Sequence, residues 1–146
     1  MPSDTPSSIA PSGIYPSWID SASYLSLATD RRDGREVRTP VWFARTGDAI
    51  YLFSAPEVGK VKRLRRTRAG RIAPCDMRGN TSGDFVPVSG ELLHAANDIA
   101  EALVSLRRKY GLLMWFTDFA ARLAGRFERR QYIRLRVAQR TTAGAE

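Results

Sequence analysis

Between Ser23 and Ser54 the sequence alternates with a period of two and is cut twice by tight polar turns. Ser23–Thr29 carries Tyr24, Leu25, Leu27 and Ala28 and reads as a mostly buried strand. Asp30-Arg31-Arg32-Asp33-Gly34 follows as a turn ending in glycine. Glu36–Arg45 then alternates, with Val37, Thr39, Val41 and Phe43 on one face and Pro40 and Trp42 on the other. Thr46-Gly47-Asp48 is a second turn, and Ala49–Ser54 a third strand. Three strands joined by two short turns make an antiparallel meander, since parallel neighbours need a much longer crossover.

The rest of the chain adds to this sheet. Ser54-Ala55-Pro56-Glu57 fits a capping box with proline in the first turn, which predicts a helix over Pro56–Arg66. Val58, Val61 and Leu64 lie on one side of it, Lys62, Arg63 and Arg66 on the other, and Lys60 near the boundary. Arg71–Met77 reads as a fourth strand and Asp84–His94 as a fifth, where Pro87 and Gly90 suggest an edge or a bulge. Asn97 is expected to cap an amphipathic helix with Ile99, Leu103, Leu106 and Tyr110 as its stripe, ended by Gly111. A second helix is expected over Leu112–Ala124, with Asp118 and Arg122 paired at i,i+4. Gln131–Val137 is a clean strand, with Ile133, Leu135 and Val137 facing in and Tyr132, Arg134 and Arg136 facing out. The expectation is a mainly β (α+β) fold, a six-stranded antiparallel barrel with peripheral helices, over residues 17–138. Residues 1–16, with four Pro and four Ser, read as a flexible tail, Ser17–Ser21 as a short helix with Trp18 and Ile19 as its apolar contacts, and residues 139–146 as a polar tail.

Composition limits the function. The 146 residues carry 23 Lys+Arg against 15 Asp+Glu, a net charge of +8, which favours anionic partners. No apolar run approaches the roughly 20 residues of a membrane span, and no secretory signal is visible, so a cytoplasmic protein is expected. A single cysteine, Cys75, and a single histidine, His94, exclude an intrachain disulfide and a Cys/His zinc site. P-loop and dinucleotide-binding glycine motifs are absent, and no recognition helix or paired aromatic platform supports a nucleic-acid module. Without a triad or paired carboxylates, any enzymatic chemistry is expected to belong to a bound cofactor.

Three segments could serve such a cofactor. Lys60–Arg71 holds seven cations and no acid. Gly59 and Lys60 near a helix N-terminus could grip a phosphate, although a solvated helix face explains the later arginines equally well. In Thr39-Pro40-Val41-Trp42 a proline interrupts a strand, which suits either an edge or a strand covered by a flat ligand, and Trp42 could stack on a ring or sit in the core. In Ala73-Pro74-Cys75-Asp76 a second proline precedes a thiol and a carboxylate. No adjacent base activates Cys75, which alone reads as a small buried residue.

Thr39-Pro40-Val41-Trp42-Phe43, Gly59-Lys60-Val61-Lys62-Arg63-Leu64-Arg65 and Ala73-Pro74-Cys75-Asp76-Met77-Arg78-Gly79 occur in that order. Together they resemble signatures of the pyridoxamine-phosphate-oxidase-like flavin and deazaflavin oxidoreductases, most of all the branch that uses the deazaflavin coenzyme F420. Lys109-Tyr110-Gly111-Leu112-Leu113 is also similar to that branch. The resemblance implies a split β-barrel, a homodimer with cofactor sites at the subunit interface, and hydride transfer to a small-molecule substrate. It implies that Lys60 binds the cofactor phosphate and that Lys62 and Arg63 assist it or hold an acidic tail. Thr39, Pro40, Val41 and Trp42 would lie along the ring, Pro74, Cys75 and Asp76 would line the pocket, and Arg78 would reach the other subunit's cofactor. Arg38, where that branch has a small residue, either reaches the cofactor or narrows the substrate opening; Ser54 completes the set. FMN-using relatives carry Arg or Ser where Val58 and Gly59 stand here, which leans towards F420. The alternatives are FMN or FAD in the same fold, or a non-catalytic cofactor-binding protein.

Overall fold

The structure, a computed structural model, describes residues 15–54, 59–111 and 130–138. Among them the chain runs β1 (Tyr24–Asp30), β2 (Glu36–Trp42), β3 (Ala44–Thr46), β4 (Ala49–Ser54), α1 (Gly59–Thr67), β5 (Ala69–Cys75), β6 (Val86–Leu93), α2 (Ala96–Tyr110) and β7 (Gln131–Val137). All strands join one antiparallel sheet in the order β2-β1-β5-β6-β7-β4-β3.

The expected six-stranded barrel is corrected here to an open seven-stranded sheet, because the second expected strand breaks at Phe43. Each turn makes its hairpin: β1 pairs with β2, and β3 with β4. Phe43 sends the two hairpins to opposite edges of the sheet. Consecutive Cα atoms are only about 3.8 Å apart, so edges joined through one residue must curl towards each other. A strand break strands buried backbone groups, and Tyr110 resolves this one. Its hydroxyl accepts the Phe43 N–H at 2.9 Å and lies 2.8 Å from both Phe43 O and Ser23 O, either of which takes its single proton.

Alternation sorts the strands into two cores. Leu25, Leu27, Val41, Ile50, Leu52, Ile72, Val88, Ile133 and Leu135 fill the interior of the curled sheet, with Phe43 and Ile19. Helix α1 closes that interior with Val61 and Leu64. On the outer face α2 lays Ala102 and Leu106 over Ala44, Ala49, Tyr51, Leu93 and Tyr132. Tyr132 therefore faces outward as expected but is buried, because a helix covers that face. Arg134 beside it bridges to Glu91 at 3.0 Å and to Asp98 on α2 at 3.3 Å.

Three local expectations are corrected. β6 lies between β5 and β7 and is not an edge. Pro87 fits there because its carbonyl accepts the Ala138 N–H at 2.9 Å, where the β6–β7 ladder runs out, so only one terminal bond is missing. Gly90 is a seat for the helix: a Cβ there would stand 3.1 Å from Leu64 and 3.0 Å from Leu135. Helix α2 starts one residue before Asn97; Ala95 occupies the cap position and no side chain caps it. Ser17–Ser21 forms turns, not a helix, with bonds from Ile19 N to Pro16 O and from Ala22 N to Trp18 O. Tyr15, at the end of the expected tail, lies under the Arg45 guanidinium at 4.1 Å. The capping box after Ser54 with Val58, the helix over Leu112–Ala124 with its Asp118–Arg122 pair, and residues 139–146 lie outside the described residues. No helix among the described residues is long and apolar enough to cross a membrane.

Candidate functional site

Several arginines of the described strands are answered by carboxylates. Arg45 holds Asp20 through both oxygens at 2.9 Å, Arg71 reaches Asp30 at 2.8 Å and Glu36 at 2.9 Å, and Arg38 reaches Glu36 at 2.7 Å. The cations of α1 and its end are different. Among the described residues Lys60, Lys62, Arg63, Arg65, Arg66 and Arg68 make no ion pair. The first turn of α1 holds no acidic residue, so its exposed N–H groups and partial positive charge add to theirs.

Helical spacing divides these cations. Gly59, Lys62, Arg63 and Arg66 form one stripe facing the β1–β2 turn, and with Arg31, Arg32, Asp33 and Arg35 they line a cleft of about 490 Å³. The turn is tied by Arg31 N to Arg35 O at 2.8 Å, by Gly34 N to Arg31 O at 2.9 Å and by a left-handed Gly34 with φ 90°. Arg63 Nε donates to Thr29 Oγ1 at 2.6 Å, and Arg66 Nη2 to Asp30 O at 2.8 Å. Burial first, then Arg31 and Arg66, push Arg63 below the usual guanidinium range, yet it stays charged. The Arg63 guanidinium folds back over Gly59, where a Cβ would come within 2.6 Å of it.

Lys60 does not line this cleft. By helical position it lies next to the stripe of Val61 and Leu64, and it is half-buried, with no hydrogen bond or ion pair among the described residues. Burial first, and Arg63 second, lower its pKa. A partly desolvated ammonium at a helix N-terminus is a costly arrangement until an anion joins it.

The remaining expected site residues spread along the sheet. Register puts Thr39 beside Leu27, and Val41 and Pro74 on either side of Leu25, all on the interior face. Val41 and Pro74 are buried there, so their side chains are core. Pro40 stands exposed on β2, an edge strand, as a strand proline can. The ring of Trp42 stacks on Tyr110 at 4.8 Å and 18°. Arg38 lies 4.5 Å over the Phe85 ring. Cys75 is half-buried, and burial and Asp76 raise its thiol pKa. Asp76 accepts the N–H groups of Arg78 and Asn80 and the Asn80 amide, which holds its carboxyl below the usual range and commits it to its own loop. Arg78 is exposed, and Ser54 is buried at the end of β4. From Thr29 to Tyr24 is five steps along β1, roughly 17 Å at about 3.3 Å each. The Arg63 end and the Trp42–Cys75 end are thus separated by the length of a strand.

The sequence reading missed Arg31, Arg32 and Arg35 as site residues. They read as an ordinary polar turn, and only the docking of α1 against that turn turns them into a wall. It also missed Lys109, whose ammonium lies 3.4 Å from the Phe43 ring centre and donates to Ala22 O at 2.7 Å.

No protein-family model and no curated protein matches the chain. Solved structures do. A candidate 5-nitroimidazole antibiotic resistance protein from Bacteroides thetaiotaomicron matches with TM-score 0.62 and 17% identity, over 84% of this chain and 77% of that one. The heme storage protein HutZ from Vibrio cholerae matches with TM-score 0.61 and 11% identity, over 84% and 87%. A FAD-binding protein from Mesorhizobium loti matches with TM-score 0.53 and 18% identity, over 82% of each chain. At these identities the likeness is one of fold: a mainly β antiparallel sheet with few helices, of the split-barrel kind found in pyridoxamine-phosphate-oxidase-like proteins.

Proposed function

We propose that this chain is a split-barrel oxidoreductase that binds coenzyme F420 and uses it for hydride transfer to a small-molecule acceptor. The observation that carries this is Lys60, a half-buried ammonium without a partner among the described residues, at the start of a helix whose first turn has no acid. That place suits the phosphodiester of an anionic arm. The three-segment resemblance supplies the identity of the cofactor. The bound deazaflavin supplies the hydride chemistry; the protein's part is to bind, orient and keep water out. Lys60 and the Gly59 backbone hold the arm, Lys62 and Arg63 extend the positive field, and exposed Pro40 offers a flat, donor-free patch for a ring. Cys75, with its raised pKa, stays a thiol at neutral pH and takes no part as a nucleophile. Two copies place the cofactor at their interface, where Arg78 reaches across.

A second reading keeps the fold and exchanges the cofactor for FMN or FAD; a fold neighbour that binds FAD favours it. A haem reading gains less, because the single histidine, His94, is exposed beyond β6.

Titration with F420 and with FMN, side by side at low salt, tests the proposal. The expected result is F420 binding at micromolar affinity or tighter, weakened about tenfold by Lys60→Ala, a loss of about 1.4 kcal/mol, and turnover of acceptors with the reduced form. Absence of F420 binding, with FMN or FAD retained, replaces the first reading by the second.

A further inference from the structure

We infer that the cleft between the β1–β2 turn and α1 is a separate binding site for a diphosphate group. It shares Gly59, Lys62 and Arg63 with the proposed cofactor field but not Lys60, and it does not rest on the redox reading.

Three features make it a built site. First, Arg31, Arg32, Lys62, Arg63 and Arg66 converge there without an ion-pair partner among the described residues, and the single acid in the wall, Asp33, is engaged by Arg35 at 2.9 Å. Second, two of the arginines are positioned in advance. One N–H of Arg63 is fixed on Thr29 Oγ1 and one of Arg66 on the Asp30 carbonyl, which leaves their other N–H groups for a ligand. A guanidinium fork matches phosphate oxygens two at a time, and fixing it beforehand reduces the entropy lost on binding. Third, these two forks stand one helical turn apart, about 5–6 Å between Cβ atoms, across a turn that brings further cations from the other side. One phosphate would meet only one fork. Two linked phosphates meet both and reach the turn arginines. The volume of about 490 Å³ falls within the roughly 300–1,000 Å³ of small-molecule sites, and its lining comes from one turn and one nine-residue helix.

Calorimetric titration at about physiological ionic strength tests this, with orthophosphate, pyrophosphate, ADP, FAD and a triglutamate peptide as probes. The expected result is saturable pyrophosphate binding at least about tenfold tighter than orthophosphate. Arg63→Met should weaken it about tenfold or more, and so should Arg32→Met, whose exposed side chain supports nothing else. Lys60→Met should leave it within about twofold, which separates this site from the proposed cofactor site. Competition by ADP identifies a free nucleotide as the source of the diphosphate, and competition by FAD alone a dinucleotide; either supports the site. Equal binding of orthophosphate, equal competition by triglutamate, or unchanged pyrophosphate binding in both arginine variants overturns it.

Discussion

Lys109 shows how much a single side chain depends on its surroundings. In the sequence it is one more cation near a helix end, where the dipole welcomes it. In the fold, Phe43, Ala22 and the turn before β1 close around it, and burial pushes its pKa down to about 8, only partly countered by Asp20. The consequence for stability has a definite sign. The unfolded chain binds this proton up to about 10.5, so between about 8 and that value the unfolded state carries more proton than the native one. Stability from this residue is therefore complete above the upper value and lost as pH falls through the lower. Urea midpoints of the parent chain should rise between pH 7.5 and pH 9.5 relative to those of Lys109→Met; parallel curves would show that Lys109 titrates normally. Tyr110, one residue on, does not confuse this measurement. Burial raises its pKa to about 12, so its hydroxyl keeps its proton and its bonds to Phe43 throughout.

Helix α1 illustrates the next level. Its apolar pair Val61 and Leu64 and its charged remainder are legible from spacing alone, and so is a helix after the β4 strand. Its seat is not legible. Leu64 packs where Gly90 lacks a side chain, and nothing in the neighbourhood of Gly90 in sequence mentions a helix that precedes it by more than twenty residues. Gly90→Ala places a methyl 3.1 Å from Leu64 and 3.0 Å from Leu135 on a central strand that cannot move aside. A loss of about 1–3 kcal/mol is expected in urea unfolding, together with faster amide exchange in α1. A neutral result would mean that Leu64 turns away at little cost. The same docking builds the cationic cleft, so the turn arginines gain their role from an element that they neither contain nor adjoin in sequence.

For the molecule as a whole, the homodimer that accompanies the proposed function makes a simple prediction. Sedimentation should return twice the 16.3 kDa chain mass, and the exposed Met77, next to Arg78 in the loop after β5, is the apolar side chain at that end open to a second copy. Met77→Glu should shift the equilibrium towards monomer and weaken cofactor binding with it; a stable monomer in the parent chain would remove the interface from the proposal. Alternating side chains and glycine-bearing turns in the sequence already specify both hairpins, β4 and β7 to the residue, and the inward faces of β2 and β7, because these follow from local sterics and period two. They also mark the α1 segment as cationic. Closure is another matter. Phe43 looks like any alternating strand residue, and its role as the link between opposite sheet edges appears only when Tyr110, far along the chain, supplies the backbone partners that the break removes. The burial of Tyr132 depends likewise on α2, and the division of the arginines into paired and unpaired sets depends on which carboxylates the folded strands bring within reach. Local pattern reports what each segment prefers, whereas these features are interactions between segments distant in sequence, and only the folded chain brings their partners together.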